Sequence, residues 1–158
     1  MLKLFGIGLP EVLKTGIMDT IGASQEWRWI GYDNSIVDIG GWRIASVPGG
    51  TRWGGGLWMN SLDLARFGLL ILNRGKWGDR QIVSEKWLQD AVIPSAHGPD
   101  YGYLWWLDSK KKTFAAVGNG SNTIWIDPQH DIVFVWRWFN NEARDGMLEK
   151  IVSAVTNE

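Results

Sequence analysis

Hydrophobic positions follow two periods along the chain, and the densest run lies in its last third. Thr123 to Ile126 and Ile132 to Trp138 are dominated by β-branched and aromatic residues, and Asp127, Pro128, Gln129, His130 and Asp131 between them are turn formers, which predicts a β-hairpin. Ile132, Val133, Phe134, Val135 and Trp136 are apolar without alternation. That strand is therefore expected to be covered on both faces and to be central in its sheet. Tyr101 to Leu107 (YGYLWWL) and Phe114 to Val117 read as two more strands, with Asp108 to Lys112 as a charged turn between them, giving four strands in all.

The 3.6-residue period marks the helices. Ser61 to Asn73 is the clearest, with Ser61 as cap, Asp63 in the first turn, Leu64, Phe67, Leu70 and Ile71 as the apolar stripe, and Gly75 as the stop. Ser84 caps a second helix from Glu85 to about Val92, halted before Pro94. Pro10 to Met18 is a short helix with proline set for its first turn, and Asn141 to Val155 is a longer one with Met147, Leu148, Ile151, Val152 and Val155 along one face. Met1 to Phe5 (MLKLF) reads as the last turn of an amphipathic helix, as if the chain started inside a fold. The expected class is α+β in a single domain over residues 1–158: an antiparallel sheet with a C-terminal helix packed on it, plus a helical and loop region.

Gln25 to Leu57 fits neither period. It is rich in glycine, which suits a long ordered loop or short strands wrapped over a core, and Trp27, Trp29, Trp42 and Trp53 argue against disorder. Composition narrows the functions. Sixteen basic residues balance 17 acidic ones for a net charge of -1, which indicates neither a nucleic-acid footprint nor a polybasic membrane patch. The absence of cysteine excludes disulfides and thiolate zinc sites and leaves the compartment open. His97 and His130 lie far apart in sequence, so neither a metal centre nor a cofactor is expected. The apolar run at Met1 to Leu9 is too brief for a signal peptide or a membrane span.

Between the third strand and the hairpin lies Gly118, Asn119, Gly120, Ser121, Asn122, where glycines permit close approach of a bound group and polar side chains can reach it. The alternative is a glycine bulge in a structural strand. The order of segments, WGGGLWMNSLDLARFGLLILNRGKWGDRQIVSEKWL, then YGYLWW, then this glycine-containing edge, then IWIDPQHDIVFVWRW and a terminal helix, resembles the C-terminal half of the beta-lactamase-related serine hydrolases from about Leu9 onward. Class C beta-lactamases, DD-peptidases and related esterases make up that family.

The resemblance implies a partial beta-lactamase/transpeptidase-like fold and hydrolysis of a small-molecule ester, amide or beta-lactam through an acyl-serine. In the family an S-x-x-K motif gives the nucleophile and its lysine, Y-x-N or S-D-N moves protons, and a K-T-G or H-x-G edge strand holds the substrate. Asn119, Gly120 and Ser121 stand in place of K-T-G as substrate-binding residues, with asparagine where the cation would be. The strand backbone there can still pair with an acyl substrate and polarise its carbonyl. Ser109 to Lys112 matches S-x-x-K in letters only, because the family's serine starts a buried helix whereas these residues form a charged turn. Tyr32, Asp33 and Asn34 match Y-x-N, although the family's tyrosine motif precedes the helix matched by Pro10 to Met18. Tyr32 is the one catalytic candidate that remains. The isolated chain is therefore expected to be inactive, and to self-associate through a sheet edge that the family completes with upstream strands. The alternative is a non-catalytic module whose 12 tryptophans stack on a sugar or other flat ligand.

Overall fold

A computed structural model describes residues 6–30, 36–45, 56–96 and 98–156. They divide into two compact units, Met1–Phe67 and Gly68–Glu158.

In the first unit, helix α1 (Leu9–Leu13) has Pro10 in its first turn and runs on as a single π-helical stretch, Lys14–Met18, confirming the helix expected over Pro10 to Met18. Met18 and Ile21 are buried at its end. The glycine- and tryptophan-rich stretch forms short strands: β1 (Arg28–Trp29) pairs with β4 (Leu57–Trp58), and β2 (Ile36–Ile39) pairs with β3 (Trp42–Ala45) about Gly40 and Gly41. Helix α2 (Ser61–Leu72) begins at the end of this unit. Its cap is Asn60 and not Ser61: the Asn60 Oδ1 accepts the Asp63 N–H at 2.8 Å, satisfying a first-turn donor. Residues 1–5 lie outside the described set, and the helix-turn reading of MLKLF with them.

The second unit takes over at Gly68. Gly75 stops α2 as expected, because its φ of +82° suits the left-handed C-terminal position and its N–H reaches back to the Leu70 carbonyl at 2.8 Å. A small hairpin, β5 (Lys76–Trp77) with β6 (Arg80–Gln81), leads to α3 (Glu85–Ala91), whose Ser84 hydroxyl accepts the Trp87 N–H. The sheet that follows is antiparallel throughout: β7 (Trp106–Asp108), β8 (Thr113–Val117), β9 (Thr123–Asp127) and β10 (Ile132–Trp136), in the order β10-β9-β8-β7. A 3-10 turn at Asn141–Ala143 opens α4 (Arg144–Thr156).

Register explains the layers. Phe134 pairs with Trp125 and Trp125 with Ala115, so these share one face of the sheet. That face, with Ile132 and Trp136, packs on Leu148, Ile151 and Val152 of α4. On the opposite face Val133 and Ile124 press against Gly68 of α2.

Three expectations need correcting. β10 is covered on both faces, yet among the described residues it is a terminal strand and β9 is the inner, wholly buried one. Apolar residues on both faces record the helices above and below, not a neighbour beside. β10 also ends at Trp136, because Trp138 turns to φ +52°. Tyr101 to Leu107 is not one strand: the Tyr103 N–H goes to the Ala91 carbonyl, Gly102 N–H goes to Trp105, and Leu104 sits at φ +65°, so the ladder starts only at Trp106.

Candidate strand-edge site

β8 pairs with β9 to its very end, Val117 with Thr123, but its ladder with β7 stops at Ala115 opposite Trp106. Among the described residues no strand runs beside Ala116 and Val117 on the β7 side. A strand backbone offers N–H and C=O groups to whatever lies alongside it, so this short edge can receive an extended ligand.

The chain then turns tightly. The Gly118 N–H donates to the Asn122 carbonyl at 2.7 Å, and Asn119–Ser121 form a 3-10 turn in which Gly120 and Ser121 have φ of +68° and +58°. The Asn122 amide donates to the Asn119 carbonyl, and Arg137 Nε donates to Asn122 Oδ1. The Trp138 indole packs against Gly120: a Cβ there would stand 2.0 Å from Cζ3 of the ring. Gly120 is thus the residue that admits the indole, and Trp138 is still 72% exposed.

The triplet matched to K-T-G therefore lies past the strand, in this connection, with Asn119 exposed and Gly120 and Ser121 half-buried. The open backbone belongs to Ala116 and Val117. Sequence reading missed those two residues and also Arg137 and Trp138, which look like the continuation of a strand. Tyr32, with Asp33 and Asn34, lies outside the described residues, as does His97. Ser109 and Lys112 are exposed in the turn before β8, where Asp108 Oδ1 accepts the N–H groups of Lys110 and Lys111 at 3.0 Å each. The lysine beside that serine is therefore solvated.

Two polar clusters elsewhere are fully employed in holding the backbone. In the first unit, the wholly buried Asp63 carboxylate accepts from Ser24 N–H at 2.9 Å, Ser24 Oγ at 2.6 Å and Arg66 at 3.0 Å, tying the start of α2 to the chain 39 residues upstream. In the second, Asp127 accepts the Gln129 and His130 N–H groups through Oδ1 and stands 2.7 Å from His130 Nδ1 through Oδ2, which fastens the β9–β10 turn. On the exposed end of α1, a hydrogen bond to Asp19 raises the Lys14 pKa above its ordinary value. Among the described residues no group of three or more His, Asp or Glu side chains could hold a metal ion, and no helix is long and apolar enough to cross a membrane.

No protein-family model matches the chain. Solved structures do. One from Bacillus anthracis, named "putative 6-aminohexanoate-dimer hydrolase", aligns over 99% of this chain with a TM-score of 0.76 and 23% identity. The chain carries part of a beta-lactamase-like fold. A second structure, named "putative beta-lactamase" from Bacteroides dorei, aligns over 91% of the chain with a TM-score of 0.59 and 17% identity. The chain spans 41% of the length of the first and 51% of the second. The α+β class, the four-stranded sheet and the terminal helix expected from the sequence are all present in this partial beta-lactamase-like fold.

Proposed function

We propose that this chain supplies the substrate-binding edge of a beta-lactamase-related serine hydrolase, one that cleaves a small-molecule ester, amide or beta-lactam through an acyl-serine. The observation that carries the reading is the edge itself, where β8 outruns β7 by Ala116 and Val117 and ends in the Gly118 to Asn122 turn. An extended acyl substrate laid there adds as a short strand, and an N–H aimed at its carbonyl oxygen favours the negative charge that develops when a nucleophile attacks. The names of the two structural neighbours, a 6-aminohexanoate-dimer hydrolase and a beta-lactamase, are in keeping with this class.

Ser109 and Lys112, which match S-x-x-K in letters, are both exposed, which supports a nucleophile supplied from outside this chain. On this reading the chain alone turns over no substrate. Loss of a nucleophile costs on the order of a millionfold in rate, the value known for subtilisin. A second reading, a non-catalytic module binding a sugar or other flat ligand, draws on the exposed rings of Trp42, Trp58, Trp87, Trp106 and Trp138.

Incubation with p-nitrophenyl esters, nitrocefin and a fluorophosphonate probe should show neither turnover nor labelling. A segment of this fold bearing S-x-x-K, supplied in trans or fused ahead of Leu9, should bring turnover that a serine-to-alanine change in that segment removes. Labelling of the chain alone that disappears in Ser109→Ala would put the nucleophile in the charged turn and overturn the assignment. Saccharide binding, with no turnover on complementation, would establish the second reading instead.

A further inference from the structure

β10 ends the sheet on one side, and both of its faces are filled: Val133 presses on Gly68 of α2, while Ile132, Phe134 and Trp136 lie toward α4. Its outer edge is different. Among the described residues no strand pairs there, and the five residues include neither the charge nor the proline that keeps an edge from pairing with other chains.

The layer above that edge is unfinished as well. A cavity of about 220 Å³ opens between β10 and α4, lined by Phe134, Trp136, Phe139, Arg144, Met147 and Leu148. No residue of β8 or β9 lines it, so it lies over the terminal strand, at the margin of the sheet. The Phe134 and Trp136 rings, with centroids 5.3 Å apart, form one wall, and Met147 is 38% exposed. Trp136 Nε1 is buried without a hydrogen-bond partner. Open backbone and an open apolar wall thus lie side by side, which is what one more strand fills.

A second copy of β10 suits both. Every ladder of this sheet is antiparallel, and a strand that pairs antiparallel with its own copy does so about a two-fold axis, which makes the contact self-complementary. Centred on Phe134, the register sets the two Phe134 side chains together, Ile132 against Trp136 and Val133 against Val135, all of them apolar pairs. The charges just beyond the strand agree. Asp131 precedes β10 and Arg137 follows it, both exposed, so an antiparallel register brings unlike charges level and a parallel one brings like charges level. Only the sign of the charge enters here, and the Arg137 bond to Asn122 stays in place.

We propose that two copies of this chain pair through β10, antiparallel about Phe134, joining their sheets into one and closing each other's cavities. Five paired residues extend about 17 Å, a small contact, so the dimer forms and dissociates reversibly. The proposal does not rest on the strand-edge reading, which concerns the far side of β8.

Sedimentation equilibrium of the 158-residue chain, and isotope-filtered NMR on a mixture of 13C-labelled and unlabelled chains, test it. The mass should rise with concentration from one chain to two and stop there, and contacts between chains should join Ile132 to Trp136 and Val133 to Val135. Asp131→Asn keeps a residue suited to the φ of +58° at that position, and it should weaken the dimer about fivefold at low salt with no effect at about 1 M salt. Met147→Lys, on the cavity wall, should weaken it about tenfold while Leu148 still packs on Trp125 within each chain. Contacts between chains that join Ile132 to Ile132, contacts through any other edge, or a chain that stays monomeric at millimolar concentration would overturn the proposal. A chain that is monomeric alone yet pairs β10 with an added segment of this fold would assign the edge to that segment and overturn it too.

Discussion

Alanine at position 68 sets helix propensity against packing, and the two effects have opposite signs. Gly68 is in the interior of α2, where glycine is less favourable than alanine by about 1 kcal/mol, so on propensity alone Gly68→Ala stabilises. The added Cβ would stand 2.5 Å from Val133 Cγ1 and 2.9 Å from Ile124 Cγ2. Both neighbours are β-branched side chains on paired strands, stiff at χ1, so they swing aside poorly and the helix or the sheet has to move. Overpacking of this kind costs about 1–3 kcal/mol. The packing cost outweighs the propensity gain, leaving Gly68→Ala destabilising by up to about 2 kcal/mol. Gly146, in the first turn of α4, is the control, because a Cβ there meets nothing within 4 Å. Gly146→Ala should gain up to about 1 kcal/mol, so the two variants should differ by about 1–3 kcal/mol. Urea unfolding with a slope near 2 kcal/mol/M would separate their midpoints by about 0.5–1.5 M. Adding Val133→Ala to Gly68→Ala makes room for the new methyl, and the double-mutant cycle should return a favourable coupling of about 1 kcal/mol. Equal midpoints for the two glycine variants, or a coupling of zero, would mean that α2 does not seat on the sheet at Gly68, and the layer argument would fail.

Trp136, buried between β10 and α4, should cost about 3–5 kcal/mol when replaced by alanine, and Val135→Ala should also destabilise, whereas alanine at Lys110, Lys111 or Lys112 in the exposed turn should change stability by about 0.5 kcal/mol or less. Urea midpoints compare them, and equal values would show that β10 is not part of a core. The outer edge of β10 has no strand partner among the described residues, and its five residues carry neither charge nor proline to discourage pairing, so the chain should associate as its concentration rises. Light scattering would register the growth in mass, and exchange should slow with concentration at β10 amides; mass and exchange independent of concentration would refute it.

The parts of the fold legible from the chain are those specified by residues close together in sequence. Ser84 caps α3 three residues from the N–H it satisfies, Gly75 stops α2 five residues from the carbonyl it reaches, and the β9–β10 turn is fastened by Asp127 to His130 within four residues. What the local pattern left out depends on partners far along the chain. Tyr103 gives its N–H to Ala91 on another element, and Asp63 waits for Ser24 from 39 residues away, neither of which any local pattern announces. A motif match compares letters, and so it settles on Asn119, Gly120 and Ser121, while the open edge beside them is a difference in length between two neighbouring strands, three residues in β7 against five in β8. Backbone left open by such a mismatch is independent of side-chain type: Ala116 and Val117 would suit any strand, and what distinguishes them is only that the ladder beside them has ended. The same logic places Arg137 and Trp138 beyond the reach of periodicity, because the residue that brings them to the turn is the one with no side chain at all, Gly120, whose bare Cα is the space the indole occupies.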